Sequence, residues 1–248
     1  MMRFVNSPNL PEGRVKTVIC GELSDELNDF LDSRDIERIV IAPNKYIDPA
    51  TENHVDMAAV HIGKNKVAID KNQIILISTL KEKGFTVYDS QNEIKGEYPK
   101  DVALNFAIIG DYILGNFSYA DSALTLGTTS LKKISVRQGY CKCSCLIINE
   151  NALITDDMSI HENAARNGID CLLISKGDVS LPGHEYGFIG GASGKISKSD
   201  VLFFGDITKH KDYKKIADFI EKHGCNIISL DFPLTDFGGI IPVIEETP

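Results

Sequence analysis

The stretch CSCLIINENALITDDMSIHENAARNGIDCLLI, residues 143–174, holds one complete structural unit. An apolar run at 143–148 turns through Asn149, Glu150 and Asn151 into a second apolar run at 152–154. Asparagine suits such a turn, because its side chain bonds nearby backbone and it tolerates left-handed conformations. A polar segment with helical spacing follows at 159–166 and stops at Asn167-Gly168, an accepted C-terminal signal. A third apolar run, 171–174, closes the unit. Two strands joined by a tight turn, then a helix, then a strand predict a ββαβ repeat.

The same order recurs along the chain. Residues 54–62 and 66–69 flank a turn at Gly63-Lys64-Asn65, followed by a helical stretch at 74–83 and a strand at 84–88. Residues 102–109 and 112–114 meet at Gly110-Asp111, before a segment at 121–131 and a strand at 134–136. The fourth copy runs through 186–190, 201–204, a helix at 213–223 and a strand at 226–230. Units therefore begin near 54, 102, 140 and 186, a period of roughly 40–50 residues that signals propellers or solenoids. The C-terminus adds only an opening strand within 234–245. The other end supplies what is missing: a helix at 24–32 capped by Ser24, then a strand at 37–42. Joined, the fifth blade comprises 234–245 with about 14–42. We therefore expect one domain over 1–248, an α/β fold built as a five-bladed α/β propeller whose terminal segments close the ring and leave no exposed edges.

Composition narrows the function. The chain has 248 residues, 43% of them hydrophobic and 25% charged, as ordinary globular proteins do. Its 26 Lys+Arg stand against 35 Asp+Glu, a formal net charge of −9. That balance argues against nucleic acid as a partner, since binding phosphates draws on clustered Lys and Arg. It is compatible with a cationic small molecule. No run of 18 apolar residues and no signal-peptide core is present, so we expect no membrane span and a cytoplasmic location. The six cysteines do not read as a disulfide framework. We expect no cofactor and no metal, and the oligomeric state is left open.

Specific segments carry a resemblance. NHVDM at 53–57, YPKD at 98–101, QGY at 138–140 with KCS at 142–144, GFIGGAS at 187–193 and DFGGIIP at 236–242 resemble an uncharacterised bacterial branch of the guanidino-group-modifying enzymes, the pentein fold. The resemblance spans about 35 to 244. In catalytic members of that fold a last-blade Cys attacks the guanidinium carbon, a His moves protons and carboxylates grip the nitrogens. Their last blade reads Gly-Gly-Ile-His-Cys, whereas this chain has Gly238-Gly239-Ile240-Ile241-Pro242. Pro242 stands where the nucleophile belongs, and the standard mechanism does not carry over.

The site candidates follow. As a strand, 54–62 would place His54 and Asp56 on one face, where the carboxylate could orient or charge the imidazole. Cys141, Cys143 and Cys145 would share a strand face, with Lys142 and Ser144 on the other. These thiols are either core, since free Cys packs as a small hydrophobe, or include one nucleophile, Cys143, with Lys142 favouring its thiolate. Aligning the units on their turns sets Tyr140 opposite His54, and gives Cys143 and His54 opposite parity. Asn105, inside an apolar strand, must find a partner and is expected to face the axis. The segment containing Phe188 and Gly190 is rich in glycine, which either lets a backbone approach a ligand or makes turns. Asp236 and Asp156 are candidate carboxylates for a cation. The remaining histidines, at 61, 161, 184, 210 and 223, read as surface or turn residues.

Two functions are compatible with these residues. One is a hydrolase or amidinotransferase acting on a small guanidine or amidine compound, with Cys143, His54 and Asp56 catalytic. Asp236, Asn105, Tyr140, Phe188 and Gly190 would then bind substrate. The other is a small-ligand or protein-binding member of the fold that has lost its last-blade nucleophile.

Overall fold

The computed structural model describes residues 1–247. In chain order the elements are β1 (Met2–Phe4), β2 (Val15–Cys20), α1 (Asp25–Ser33), β3 (Glu37–Val40), α2 (Val55–Ala58), β4 (Ala59–Gly63), β5 (Lys66–Ile69), α3 (Ile74–Glu82) and β6 (Thr86–Asp89). There follow β7 (Ala107–Ile109), β8 (Tyr112–Gly115), α4 (Ser122–Gly127), β9 (Lys132–Ser135), β10 (Cys145–Asn149), β11 (Ala152–Thr155), α5 (Met158–Arg166) and β12 (Asp170–Leu173). The last are β13 (Ser193–Lys195), β14 (Asp200–Phe203), α6 (Tyr213–Lys222), β15 (Asn226–Ile228) and β16 (Ile240–Glu246).

The strands form five small sheets. Four are three-stranded, ordered β4-β5-β6, β7-β8-β9, β10-β11-β12 and β13-β14-β15. In each, the first pair is antiparallel and the third strand, reached through a helix, lies parallel to the second. The parallel pairing requires that crossover, because parallel neighbours cannot be joined by a tight turn. The fifth sheet has the order β1-β16-β2-β3, so strands from both ends of the chain share it. There Ile240 pairs with Cys20 and Pro242 with Val18. The buried carboxylate of Glu245 fastens this sheet, accepting hydrogen bonds from Arg3 Nε and from the backbone of Glu12 and Gly13.

Side-chain alternation explains why the strands are apolar on both faces. Leu146 and Ile148 of β10 enter one core cluster with Val201 and Phe203, while Cys145 and Ile147 enter another with Ala107 and Leu114. Ala68 packs with Ile108 and Ile113, whereas Val67 and Ile69 pack with Ile241 and Val243. Ile240 and Leu202 meet in the last cluster. Each hairpin thus feeds two neighbouring cores by its period of 2. Fully burying one such Ile or Leu contributes about 1.5–3 kcal/mol.

The helices agree with expectation within a residue or two, except that α4 is shorter, covering only Ser122–Gly127 of the stretch at 121–131. Ser24 caps α1 by accepting from Leu27 N at 3.3 Å. The larger correction lies at the unit openings. Residues 54–58, 102–106, 141–144 and 186–192 are turns or helical turns, not strand. Most of their apolar residues are buried in any case, and their backbone is satisfied locally, as in Met57 N to His54 O (3.1 Å), Asn105 N to Val102 O (3.0 Å) and Ser144 N to Tyr140 O (3.0 Å). Tertiary packing overrides strand propensity there. Among the described residues no helix is long and apolar enough to cross a membrane.

Candidate functional site

The unit openings converge. His54 is the N-cap of α2, so His54 and Asp56 lie on a helical turn rather than one strand face. The turn directs Asp56 into the interior, where it is 1% exposed, and leaves His54 5% exposed. Gly238, from the segment leading into β16, presses its backbone on this turn: at φ 77° it occupies the left-handed region, and a methyl there would overlap His54.

The Cys143 turn comes from the third unit. Only Cys145 of the three neighbouring thiols belongs to a strand. Because 140–144 winds as a helical turn, Cys141 and Cys145 point together into one core and Cys143 points into another. The expected shared strand face is therefore replaced, and the parity conflict between Cys143 and His54 disappears with it.

Asn105 ties the two turns together. Its Oδ1 accepts from Lys142 N (2.7 Å) and Cys143 N (3.3 Å). Its Nδ2 donates to Asp56 O (3.0 Å) and stands 3.0 Å from Cys143 Sγ. The amide does find partners, but behind the site: Asn105 is wholly buried and is not part of the lining of the cavity that contains His54.

Asp236 completes the group. Its Oδ2 accepts from Phe188 N (2.8 Å) and its Oδ1 from Gly238 N (2.9 Å), with Oδ1 3.6 Å from His54 Nδ1. The glycine-rich segment makes room for this carboxylate, since a methyl at Gly191 would overlap Asp236 Oδ1. Gly190 lies instead against the carbonyls of Lys142, Cys143 and Cys145, clear of the cavity that contains His54.

That cavity has a volume of about 280 Å³. His54, Cys143 and Asp236 line it, with Tyr140, Phe188 and Tyr186 as an aromatic wall and Asp48 and Glu185 also at its edge. An adjoining cavity of about 680 Å³ shares Asp48, His54 and Asp236. Of the expected site residues, Cys143, His54, Asp236, Tyr140 and Phe188 meet at one cavity. Asp56 stands just behind it, and Asn105 and Gly190 are supports. Asp48 and Glu185 escaped the sequence reading, because loop residues carry no periodicity; only the Asp48-Pro49 turn marked that loop.

Burial governs the electrostatics. Desolvation, opposed by His54 and reinforced by Asp236, pushes the Asp56 carboxyl up to about 6. The Cys143 thiol faces this carboxyl and tempers its rise, while no N–H or O–H donor reaches either Asp56 oxygen and His54 Nδ1 has no hydrogen-bond partner. Burial, then the charges of Asp56 and Asp236, raise the Cys143 thiol well above its ordinary value. This corrects the expected thiolate favoured by Lys142: two carboxylates and burial dominate. Tyr140 donates to Asp101 Oδ2 (2.7 Å), and burial followed by that bond raises its phenol. Asp156, also with an unpartnered oxygen, is pushed by burial up to about 6 but lines neither cavity. Two histidines read as surface or turn residues are buried, His61 at 3% exposure and His210 at 4%. The fold closes over both rings. Pro242 sits mid-strand in β16, and lines only a small space of about 10 Å³ with Lys142 and Gly190. Among the described residues no three His, Cys, Asp or Glu side chains gather as metal ligands would.

A family model matches residues 18–241, most of the chain. The chain belongs to the family of unknown function DUF6873. No curated protein matches this DUF6873 chain in sequence. Solved structures share its fold. The SxtG amidinotransferase from Microseira wollei, of a saxitoxin biosynthetic pathway, is 11% identical with a TM-score of 0.56, covering 97% of this chain and 96% of its own. An agmatine deiminase variant from C. jejuni with substrate bound is 12% identical with a TM-score of 0.59, covering 98% and 96%. DDAH from Pseudomonas aeruginosa, in a variant complexed with citrulline, is 10% identical with a TM-score of 0.55, covering 88% and 92%. The DUF6873 chain thus has the fold of the guanidino-group-modifying enzymes.

Proposed function

We propose that the protein is an enzyme acting on a small guanidine or amidine compound, with Cys143 as nucleophile, His54 moving protons and Asp236 seating the cation. One observation carries the reading: a buried thiol, an imidazole with an unpartnered nitrogen and a buried carboxylate meet at a single cavity of about 280 Å³. We further infer that the chain is one domain, closed as a five-bladed propeller around this site. Its support is that the fifth sheet takes strands from both chain ends and that a core cluster joins that sheet to β4 and β5. The six free cysteines suit the reducing cytoplasm.

A guanidinium held at Asp236 brings positive charge beside Cys143, where two carboxylates otherwise hold the thiol protonated. Cys143 then passes its proton to His54 and its sulfur attacks the guanidinium carbon, forming a C–S bond. The C–N bond breaks, and His54 returns the proton to the departing amine. Water, deprotonated by His54, attacks the carbon and breaks the C–S bond, and the thiolate recovers the proton. Net, one guanidine and one water give a urea and an amine. An acceptor amine in place of water gives amidino transfer. Asp56, behind both groups, adds the negative charge that helps keep the Cys143 thiol protonated until the cation arrives.

The test uses two electrophiles of equal size, chloroacetamidine, a cation, and neutral chloroacetamide, followed by peptide mass spectrometry. The expected result is Cys143 labelling at least tenfold faster with the cation, a preference that Asp236→Asn removes. Equal rates, or labelling elsewhere only, overturn the reading. The binding-only alternative is favoured by Pro242 in the last blade. It predicts guanidino compounds that stabilise the fold while Cys143 stays unlabelled and no product forms.

A further inference from the structure

A second pair of reactive side chains lies outside the His54 cavity. Lys195, the last residue of β13, is 4% exposed, a rare place for an ammonium. Its Nζ donates to Ile148 O (2.8 Å), Lys198 O (2.6 Å) and Cys225 Sγ (3.3 Å). Among the described residues no carboxylate reaches ion-pair distance of it. Asp200, which acts on it from farther away, is occupied by Ser197 and Asn226. A buried charge without a counter-ion is costly. Of the three atoms bonded to this cation, only the sulfur is able to turn negative. Burial, opposed by Cys225, holds the Lys195 ammonium below the ordinary lysine range.

Both side chains line a cavity of about 610 Å³, with Leu10, Pro11 and Ile148 among its walls, that shares no lining residue with the two cavities at His54. The other thiols lack such a donor. Burial pushes Cys20 and Cys171 up to about 12, burial with two carboxylates raises Cys143, and Cys145 is bonded to Cys141. A thiol alone defines no site. Here a buried ammonium donates to the sulfur, and an open cavity reaches both.

We propose that Cys225 and Lys195 form an oxidation site for small hydroperoxides, at which the thiol and the amine become joined. A hydrogen bond from an ammonium stabilises negative charge on sulfur, the form that attacks peroxides. The Cys225 thiolate attacks one peroxide oxygen, the O–O bond breaks, and sulfur is oxidised to the sulfenic acid while the peroxide is reduced. The departing alkoxide or hydroxide takes a proton from Lys195, which leaves a neutral amine beside the new S–O bond. That amine attacks sulfur, the S–O bond breaks, and the hydroxide leaves as water with a proton from nitrogen. Net, a thiolate, an ammonium and a hydroperoxide give a sulfenamide, an alcohol or water, and a further water. Sulfenic acids undergo this condensation with nitrogen, and thiols reverse it. The link would tie β13 to the segment entering β15 within the fourth unit.

The test treats the native full chain with rising hydrogen peroxide, followed by denaturing alkylation, tryptic digestion and peptide mass spectrometry. Cys225 is expected to oxidise about tenfold faster than Cys20 or Cys171. Its peptide should be found joined to that of Lys195, lighter by two hydrogen atoms, uncleaved after Lys195 and released by dithiothreitol. Dimedone present during oxidation should trap Cys225 and suppress the link. Lys195→Arg keeps a cation but no nucleophilic amine, and should leave dimedone-reactive Cys225 without a link. Since a guanidinium can disturb so buried a position, the near-isosteric Cys225→Ser is the second variant, and should restore cleavage after Lys195 under peroxide. Oxidation of Cys225 no faster than of Cys20 and Cys171, or only after unfolding, overturns the site. Fast oxidation to the sulfinic acid with no linked pair overturns the role of Lys195.

Discussion

Asp56 offers a sharp physical test, because it is a carboxylate buried at 1% exposure with no N–H or O–H donor at either oxygen. Burial pushes it up to about 6, against about 3.9 in an unfolded chain. For a carboxyl whose folded value is raised, the folded state holds the extra proton, so the associated stability is full below the unfolded value. It is lost as pH rises through the folded value. Between about pH 4.5 and about pH 7.5 the wild type should lose about 2 kcal/mol from this group alone. Asp56→Asn cannot lose it. The amide brings its own burial cost, about 1–3 kcal/mol if unpartnered, but that cost does not vary with pH. Urea unfolding of both proteins across this range isolates the effect as the pH dependence of their difference. The variant should gain about 2 kcal/mol relative to wild type on going from acid to neutral pH. Asp156→Asn serves as a control with its own similar trend, since Asp156 is also raised to about 6 away from the cavity. A wild-type minus variant difference that stays flat with pH refutes the reasoning, for it would mean that Asp56 ionises in the fold as easily as in water. Because Asp56 raises the Cys143 thiol, the variant should also alkylate Cys143 at lower pH.

Other outcomes follow from the same contacts. Asn105→Ala deletes an amide that bridges the Cys143 and Asp56 turns, so stability should fall by about 2–4 kcal/mol in denaturant melts and Cys143 alkylation should quicken. Gly191→Ala puts a methyl against Asp236, which should displace the carboxylate, cost about 1–3 kcal/mol and abolish the preference of Cys143 for a cationic electrophile. Glu245→Ala leaves the Glu12 and Gly13 amides of the closing sheet without their acceptor, while Arg3 keeps its pairing with Glu12, and should cost about 2–4 kcal/mol by thermal or urea unfolding, with unchanged Cys143 labelling in the folded protein.

Much of the fold could be read from the chain because each unit states its own local chemistry. The turns at Gly110-Asp111 and 149–151, the Ser24 cap and the Gly168 stop are near-neighbour effects, and the helices and the second and third strands of each unit formed close to where they predicted, while the opening strands began later. The pairing of both chain ends in one sheet was also legible, since a lone opening strand and a lone helix-strand pair each lack what the other has. The resemblance of short segments in the chain likewise points to the guanidino-modifying fold.

The site was legible only as a set of names. Cys143, His54, Asp236, Tyr140 and Phe188 were singled out, yet the geometry joining them depends on turns that period-2 reasoning took for strands. Whether a segment such as 54–58 extends or coils is decided by what packs on it, here Gly238 and Asn105, which are distant in sequence. The state of the Cys143 thiol was likewise beyond the sequence. A neighbouring Lys142 suggested a thiolate, while the folded interior sets burial and two carboxylates from separate segments against it. Local sequence fixes backbone preference and hydrophobic period; tertiary contact alone decides desolvation and which charges face one another.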